Sequence, residues 1–303
     1  MTSGSLVDDE VPAWWRALDI PGLFDVHVHF LPPPVMRKVR EQFDIGGALI
    51  GRDWPLVYRG DDDERVAQLR ALGVRRFTAL PYAHRPGIAA YLNDWAAGFA
   101  ERVPEALRCA TLYPEEGVGE YVADSVAAGT EVFKVHVQVG DFDLNDPLLD
   151  AAWGVLEDAG TPVVVHVGSG PVGNAHTGPA PLRLLMQRFP LLTVVVAHLG
   201  APEYAAFLTI AEDHARVHLD TTMAFTDFFE GLGPFPRAEL PRLRDLGDKV
   251  LLGSDFPNIP YPYAHQLESL ERLGLGPDWL RQVCWHNGLR LLGGNVAESR
   301  SVP

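Results

Sequence analysis

Eight short apolar runs, rich in β-branched and aromatic residues, recur between residues 23 and 255. They are Leu23–Phe30, Arg75–Leu80, Leu107–Leu112, Val132–Val139, Pro162–Gly168, Leu192–His198, Val217–Thr222 and Val250–Asp255. Most alternate poorly between apolar and polar residues, the pattern of strands covered on both faces. Between them, Asp61–Leu72, Ile88–Arg102, Gly119–Ala128, Pro147–Ala159, Ala180–Phe189 and Pro202–His214 carry apolar residues at helical spacing. Several of these open on Asp or Pro and close at Gly. Eight strand-then-helix units predict a (β/α)8 TIM barrel, a single α/β domain with a long loop insertion after strand 1. A doubly wound open sheet shares the alternation, but it gathers only neighbouring strand ends at one site.

The domain is expected over residues 21–294, after an N-terminal extension (1–20) and before a loosely ordered tail, Asn295–Pro303. Inside it, Leu31–Gly60 is the longest stretch that reads as irregular, with Pro32-Pro33-Pro34, Gly46-Gly47 and Trp54-Pro55. A loop of this length in a compact domain is usually functional, and this one is placed to serve as a lid or pocket wall at the barrel mouth. Phe225–Pro241 is a second, weaker candidate of the same kind.

Of the 303 residues, 47% are apolar and 21% charged, the balance of an ordinary globular protein. The formal net charge of −15 argues against nucleic-acid and anionic-membrane partners, which reward clustered Lys and Arg. A small-molecule substrate is the expected partner. Cys109 and Cys284 make no disulfide framework, and Met1–Pro12 lacks the basic and apolar regions of a signal peptide. No apolar stretch reaches the ~18–20 residues of a membrane helix. A soluble cytoplasmic protein is the expectation.

Chemistry collects at the ends of the runs. His27 and His29 share one face of the first strand by period-two geometry. His166 ends strand five and Asp255 ends strand eight, so a barrel mouth would gather an N3O donor set. That set suits one divalent metal ion, Zn²⁺ first, with Mn²⁺ or Fe²⁺ as alternatives. A carboxylate that follows a buried apolar run, as Asp255 does, must be paired or metal-bound to offset its desolvation. His198 ends strand six and is assigned as an acid/base group beside the metal, with a fifth ligand or a structural histidine as the other readings. Lys134 and His136 share a face of strand four. Lys134 reads as a buried charge paired with a carboxylate, and His136 as a pocket or supporting residue.

Phe24-Asp25-Val26-His27-Val28-His29, Val163-Val164-Val165-His166, Ala197-His198-Leu199-Gly200 and Gly253-Ser254-Asp255-Phe256-Pro257 resemble the amidohydrolase superfamily. The closer similarity is to the amidohydrolase-related branch that includes α-amino-β-carboxymuconate-ε-semialdehyde decarboxylase. It runs from about residue 22 to 293 and takes in Lys134-Val135-His136, Asn145-Asp146-Pro147 and Trp285-His286-Asn287. The resemblance implies that His27, His29, His166 and Asp255 hold one divalent metal, commonly zinc, and that His198 assists the water. It also implies that a carboxylated Lys134 bridging two ions is the alternative metal state, and that a homodimer is a common assembly.

Two reactions fit those residues. In a metal-dependent hydrolase, Asp255 carries the proton of the attacking water to the leaving group of an amide, lactone or related carboxyl derivative. In a non-oxidative decarboxylase of an unsaturated or aromatic carboxylate, a carbon is protonated and CO2 leaves. That reaction calls for a cation on the carboxylate, and Arg52, Arg59 and Arg85 lie in segments that could reach the mouth. Ser169–His176, the short loop after strand five, lacks the aromatic residue expected of the semialdehyde decarboxylase, which favours hydrolysis. Trp54, Tyr58, Tyr82, Phe225 and Phe228 are candidates for an apolar pocket.

Overall fold

A computed structural model describes residues 5–293. The eight predicted runs each form a strand. They are β1 (Leu23–Asp25), β2 (Val74–Thr78), β3, β4 (Val132–His136), β5 (Val163–His166), β6 (Val194–Val196), β7 (Val217–Asp220) and β8 (Val250–Leu251). β3 comes in two pieces, Ala106–Leu107 and Cys109–Thr111. At the break, the Arg108 amide donates to the Glu131 side chain and its carbonyl accepts from the Glu131 amide. All neighbouring strands pair in parallel in chain order. The first and last strands meet at a seam, where Val28 bridges Phe256. Backbone hydrogen bonds there run from Val26 to Leu252, from Asp255 to His27 and from His29 to Phe256, each at 2.8 Å.

This is the expected TIM barrel. Phe24, Val26, Leu107, Cys109, Val132, Val164, Val195 and Leu251 form one buried cluster with Leu292, separate from the larger layer under the helices. By strand parity, Lys134 and His136 follow Val132, and His166 follows Val164, so the polar site lies directly above this plug. The predicted helices appear within a residue or two of their expected ends. Asp62–Leu72 shows why: Asp61 caps it, Glu64 closes a capping box, and Gly73 ends it at φ 82°.

Two expectations need correction. The first is the irregular stretch after strand 1. Most of it is an 18-residue helix, Pro33–Ile50. The prolines open the helix because first-turn N–H groups have no intrahelical acceptor to lose, and Gly51 at φ 69° closes it. The second is the extent of strand 1, which ends at Asp25, two residues before the first histidine. The Asp25 carboxylate accepts the His27 amide at 3.1 Å, an i→i+2 bend that shifts the chain's phase. Phe24 and Val26 consequently belong to the interior plug, while Val28 packs in the outer layer and leaves His27 and His29 to the barrel mouth. The proposed tail lies outside the described residues. Among the described residues, no helix is long and apolar enough to cross a membrane.

The seam has no room for a side chain at Gly253. A Cβ there would overlap the Thr222 hydroxyl and lie 2.9 Å from the His27 Cβ. Gly253→Ala is expected to cost about 1–3 kcal/mol of stability, as overpacking typically does, measured by urea unfolding. An unchanged midpoint would show that the seam yields.

Candidate metal centre

His27, His29 and Asp255 each turn one ligand-type atom to a common point, with those atoms all within 4.8 Å of one another. Asp255 Oδ1 lies 2.9 Å from His29 Nε2 and 3.7 Å from His27 Nε2. The opposite ring nitrogens are fixed from behind. His27 Nδ1 donates to Asp220 Oδ2 at 2.8 Å, and His29 Nδ1 donates to the Leu80 carbonyl at 2.9 Å. A neutral imidazole with its proton on Nδ1 faces forward with an Nε2 lone pair, so both rings are held in the tautomer a cation needs.

The remaining predicted residues stand close by. His198 Nδ1 donates to the Thr222 carbonyl at 3.1 Å, which leaves its Nε2 as the acceptor. His166 is set the other way: its Nε2 lies 3.1 Å from the Gly170 carbonyl, leaving Nδ1 as the lone-pair nitrogen. It lines the same cavity but stands outside the tight His27–His29–Asp255 group. Six rings form a closed circuit. Centroids are 5.2 Å apart from His27 to His198, 4.7 Å on to His166, and 4.0 Å on to His136. The circuit continues 5.5 Å to Tyr82, 5.4 Å to His29 and 5.1 Å back to His27. The His136–His166 stack follows from strand register, since the two residues are direct partners across β4 and β5.

Burial governs the charges. It pulls Lys134 from 10.5 down to about 8, with Asp220 and Asp255 acting against it. Burial and the Lys134 charge together push His27 down to about 3. At Asp255 burial raises the pKa, but the close approach of His29 and the field of the surrounding histidines outweigh it and hold the carboxyl well below its usual range. The expected carboxylate partner of Lys134 is replaced by an imidazole. Its Nζ lies 3.2 Å from His27 Nε2, and the two carboxylates act on it through their field. A donor at that position agrees with an Nε2 lone pair on His27. Two neutral imidazoles, one carboxylate and a nearby third imidazole suit Zn²⁺, Mn²⁺ or Fe²⁺.

Two buried carboxylates escaped the sequence reading. Asp220, at the end of β7, orients His27 through one oxygen and accepts the His198 and Thr222 amides with the other. Asp25 accepts the His27 and Ser254 amides and the Ser254 and Tyr263 hydroxyls. Each ends its strand but lies inside the apolar run read from the sequence, Leu23–Phe30 or Val217–Thr222. His198, Leu199 and Asp255 have left-handed backbone at φ 56°, 50° and 71°, a conformation that strains non-glycine residues.

A cavity of about 910 Å³ opens over the cluster. Helix Pro33–Ile50 walls one side with Val35, Val39, Phe43 and Ile50, so the segment expected to overhang the mouth does form a pocket wall. Of the five candidate aromatics, Trp54 and Tyr82 line the cavity. Tyr58 packs on Phe256, Phe225 on Phe235, and Phe228 supports Trp54 from behind. Of the three arginines, Arg85 lines the cavity. Arg52 bonds the Phe228 carbonyl and covers the Phe228 ring, and Arg59 pairs with Asp44.

A parallel barrel whose mouth gathers histidines and a carboxylate above a plugged core defines a class of enzymes. The amidohydrolase family profile matches residues 24–294, and the chain belongs to that family. No curated protein sequence matches it. Among solved structures, an uncharacterized TIM-barrel protein from Bordetella bronchiseptica is similar at TM-score 0.71 and 18% identity, over 89% of this chain and 99% of that one. A 5-carboxyvanillate decarboxylase from Sphingomonas paucimobilis gives 0.62 and 16%, over 90% and 99%. A probable 2-pyrone-4,6-dicarboxylic acid hydrolase from Acinetobacter baumannii gives 0.61 and 14%, over 90% and 99%. A related decarboxylase from Novosphingobium aromaticivorans was solved with manganese bound, at 0.61 and 13%, over 90% and 97%. At these identities the likeness is one of fold.

Asp220→Asn removes the charge behind His27 and weakens the hydrogen bond that fixes its Nδ1–H. Zinc affinity is expected to fall about 10–100-fold, read by competition with a chelating dye. An affinity unchanged from wild type would show that Asp220 does not orient His27.

Proposed function

We propose that the protein is a metal-dependent hydrolase that cleaves an amide, lactone or related carboxyl derivative of a small molecule. The observation that carries the reading is the convergence of the His27 and His29 Nε2 atoms on Asp255, with Nδ1 of each ring tied off behind. In this reading His27, His29, His166 and Asp255 hold one divalent cation, zinc first. When bound, such an ion lowers the pKa of water and polarises a carbonyl oxygen.

The chain's own groups do the rest. Asp255, kept ionised by its imidazole neighbours, accepts the proton of the attacking water on a carboxylate oxygen and returns it to the leaving group. His198 Nε2, the acceptor nitrogen of its ring, orients that water. The apolar cavity wall excludes bulk water and holds the body of the substrate. Decarboxylation is supported by one observation, the presence of Arg85 on the cavity wall. It is the weaker reading because Arg52 and Arg59 are engaged in the scaffold, which leaves one of the three candidate arginines to hold a carboxylate.

Metal-loaded protein is expected to hydrolyse members of a panel of lactones and amides and to lose that activity reversibly on chelation. His27→Ala should lower metal content and turnover together. His198→Ala should keep its metal while losing roughly 10²–10⁴ in turnover, the usual contribution of an acid/base group. Stoichiometric CO2 release from an aromatic or unsaturated carboxylate, without hydrolysis of any panel member, would replace this assignment with the decarboxylase. A His198→Ala protein that loses its metal would make His198 a ligand.

A further inference from the structure

His136 ends β4 and stands across the ring circuit from His27, between His166 and Tyr82. Its Nδ1 accepts the backbone amide of Val139 at 3.3 Å. A backbone N–H can only donate, so Nδ1 carries a lone pair and the ring proton sits on Nε2. That polarity is opposite to His27, His29 and His198, whose Nδ1 atoms are the donors and whose Nε2 atoms are the acceptors. Among the described residues, His136 Nε2 has no hydrogen-bond partner, and the residue lines the cavity. The Tyr82 hydroxyl, next in the circuit, likewise makes no hydrogen bond among the described residues and lines the same space.

A substrate carboxyl group presents oxygens, which accept hydrogen bonds. Most of the nearby polar groups, namely the lone pairs of His27, His29 and His198 and the Asp255 carboxylate, are acceptors too. Such a group needs a donor, and the protein supplies one at a defined place. We propose that His136, fixed by the Val139 amide as an Nε2–H donor, binds a carboxyl oxygen of the substrate, with the Tyr82 hydroxyl as its companion. The proposal rests on the reading of this cavity as the substrate pocket. It adds the group that fixes which way the carboxyl group faces.

Two measurements test it, and neither requires turnover. In protein labelled with ¹⁵N-histidine, the His136 signals are those missing from His136→Gln. Nδ1 is expected to be unprotonated and Nε2 protonated. A protonated Nδ1 overturns the proposal. In calorimetry of the metal-loaded protein with benzoate as the probe, His136→Ala is expected to weaken binding about 3–10-fold, the effect of one hydrogen bond. His136→Gln, whose amide can donate from a similar position, should restore binding to within about 2-fold, because one donor replaces another. Metal content should be unchanged in both. Equal loss in the Ala and Gln variants would reduce His136 to packing against His166 and overturn the proposal. Unaltered benzoate binding in His136→Ala, no benzoate binding by the wild type, or loss of metal in either variant would also overturn it. Failure of the hydrolase reading is separate, since CO2 release in place of hydrolysis leaves both results standing.

Discussion

The geometry at the barrel mouth depends on two buried carboxylates that sit behind the histidines. Asp25 receives amides from both sides of the seam, His27 just past the end of the first strand and Ser254 on the approach to Asp255. It thereby sets the separation of two of the converging groups. Asp220 performs the equivalent task across the barrel, joining the His27 ring to the backbone of His198. Burying a carboxylate costs several kcal/mol unless its lone pairs are satisfied, and here each accepts three or four hydrogen bonds. The pair converts local hydrogen bonding into long-range register between β1, β6, β7 and β8. The His27 ring is aimed from within the sheet by Asp220, while the carbonyls of Leu80, Thr222 and Gly170, just beyond the strand ends, hold His29, His198 and His166.

That rigidity explains how the site tolerates strained backbone. Left-handed conformations at His198 and Asp255 each cost on the order of 1–3 kcal/mol for a residue with a Cβ. They persist because strong local partners leave no alternative: the His198 amide is held by Asp220, and the Asp255 amide by the His27 carbonyl. Two of the residues assigned to the chemistry share this conformation with Leu199, Met223 and Phe225 near the mouth and with Asp19 and Asp141 elsewhere.

Most of the fold and the centre of the site were legible in the sequence for one reason. In a barrel, each strand ends at the mouth, so a polar residue at the end of an apolar run is already placed. His27, His29, His166, His198 and Asp255 all satisfy that rule, whereas Asp220 and Asp25 end their strands but lie inside the apolar runs. Those two were passed over because an aspartate at a strand end also reads as an ordinary turn or cap residue, and its partner lies on a distant strand. The helix Pro33–Ile50 was illegible for a different reason. Its prolines and glycines signal a break when counted, whereas in position they form a first turn and a last turn. Its apolar face is divided, with Met36 in a small buried cluster and Val35, Val39, Phe43 and Ile50 on the cavity, so the stripe is sparse. The roles of the arginines depended on three-dimensional partners, and no spacing rule distinguishes Arg85 from Arg52.

Charge distribution reconciles an acidic chain with a substrate that carries oxygens. The net charge of −15 is spread over the molecule, and many surface cations are consumed in ion pairs, as Arg59 is with Asp44 and Arg242 with Glu212. Lys38 and Arg85 differ. Both line the cavity, one from helix Pro33–Ile50 and one from the segment after β2, and neither belongs to an ion pair among the described residues. Burial and these two charges push the neighbouring His84 below its ordinary pKa, which places the three side chains within one field. Lys38 and Arg85 make their part of the cavity wall locally positive, the kind of field that raises the local concentration of anions. The interior then reverses the demand, because the Asp255 and Asp220 carboxylates favour a cation.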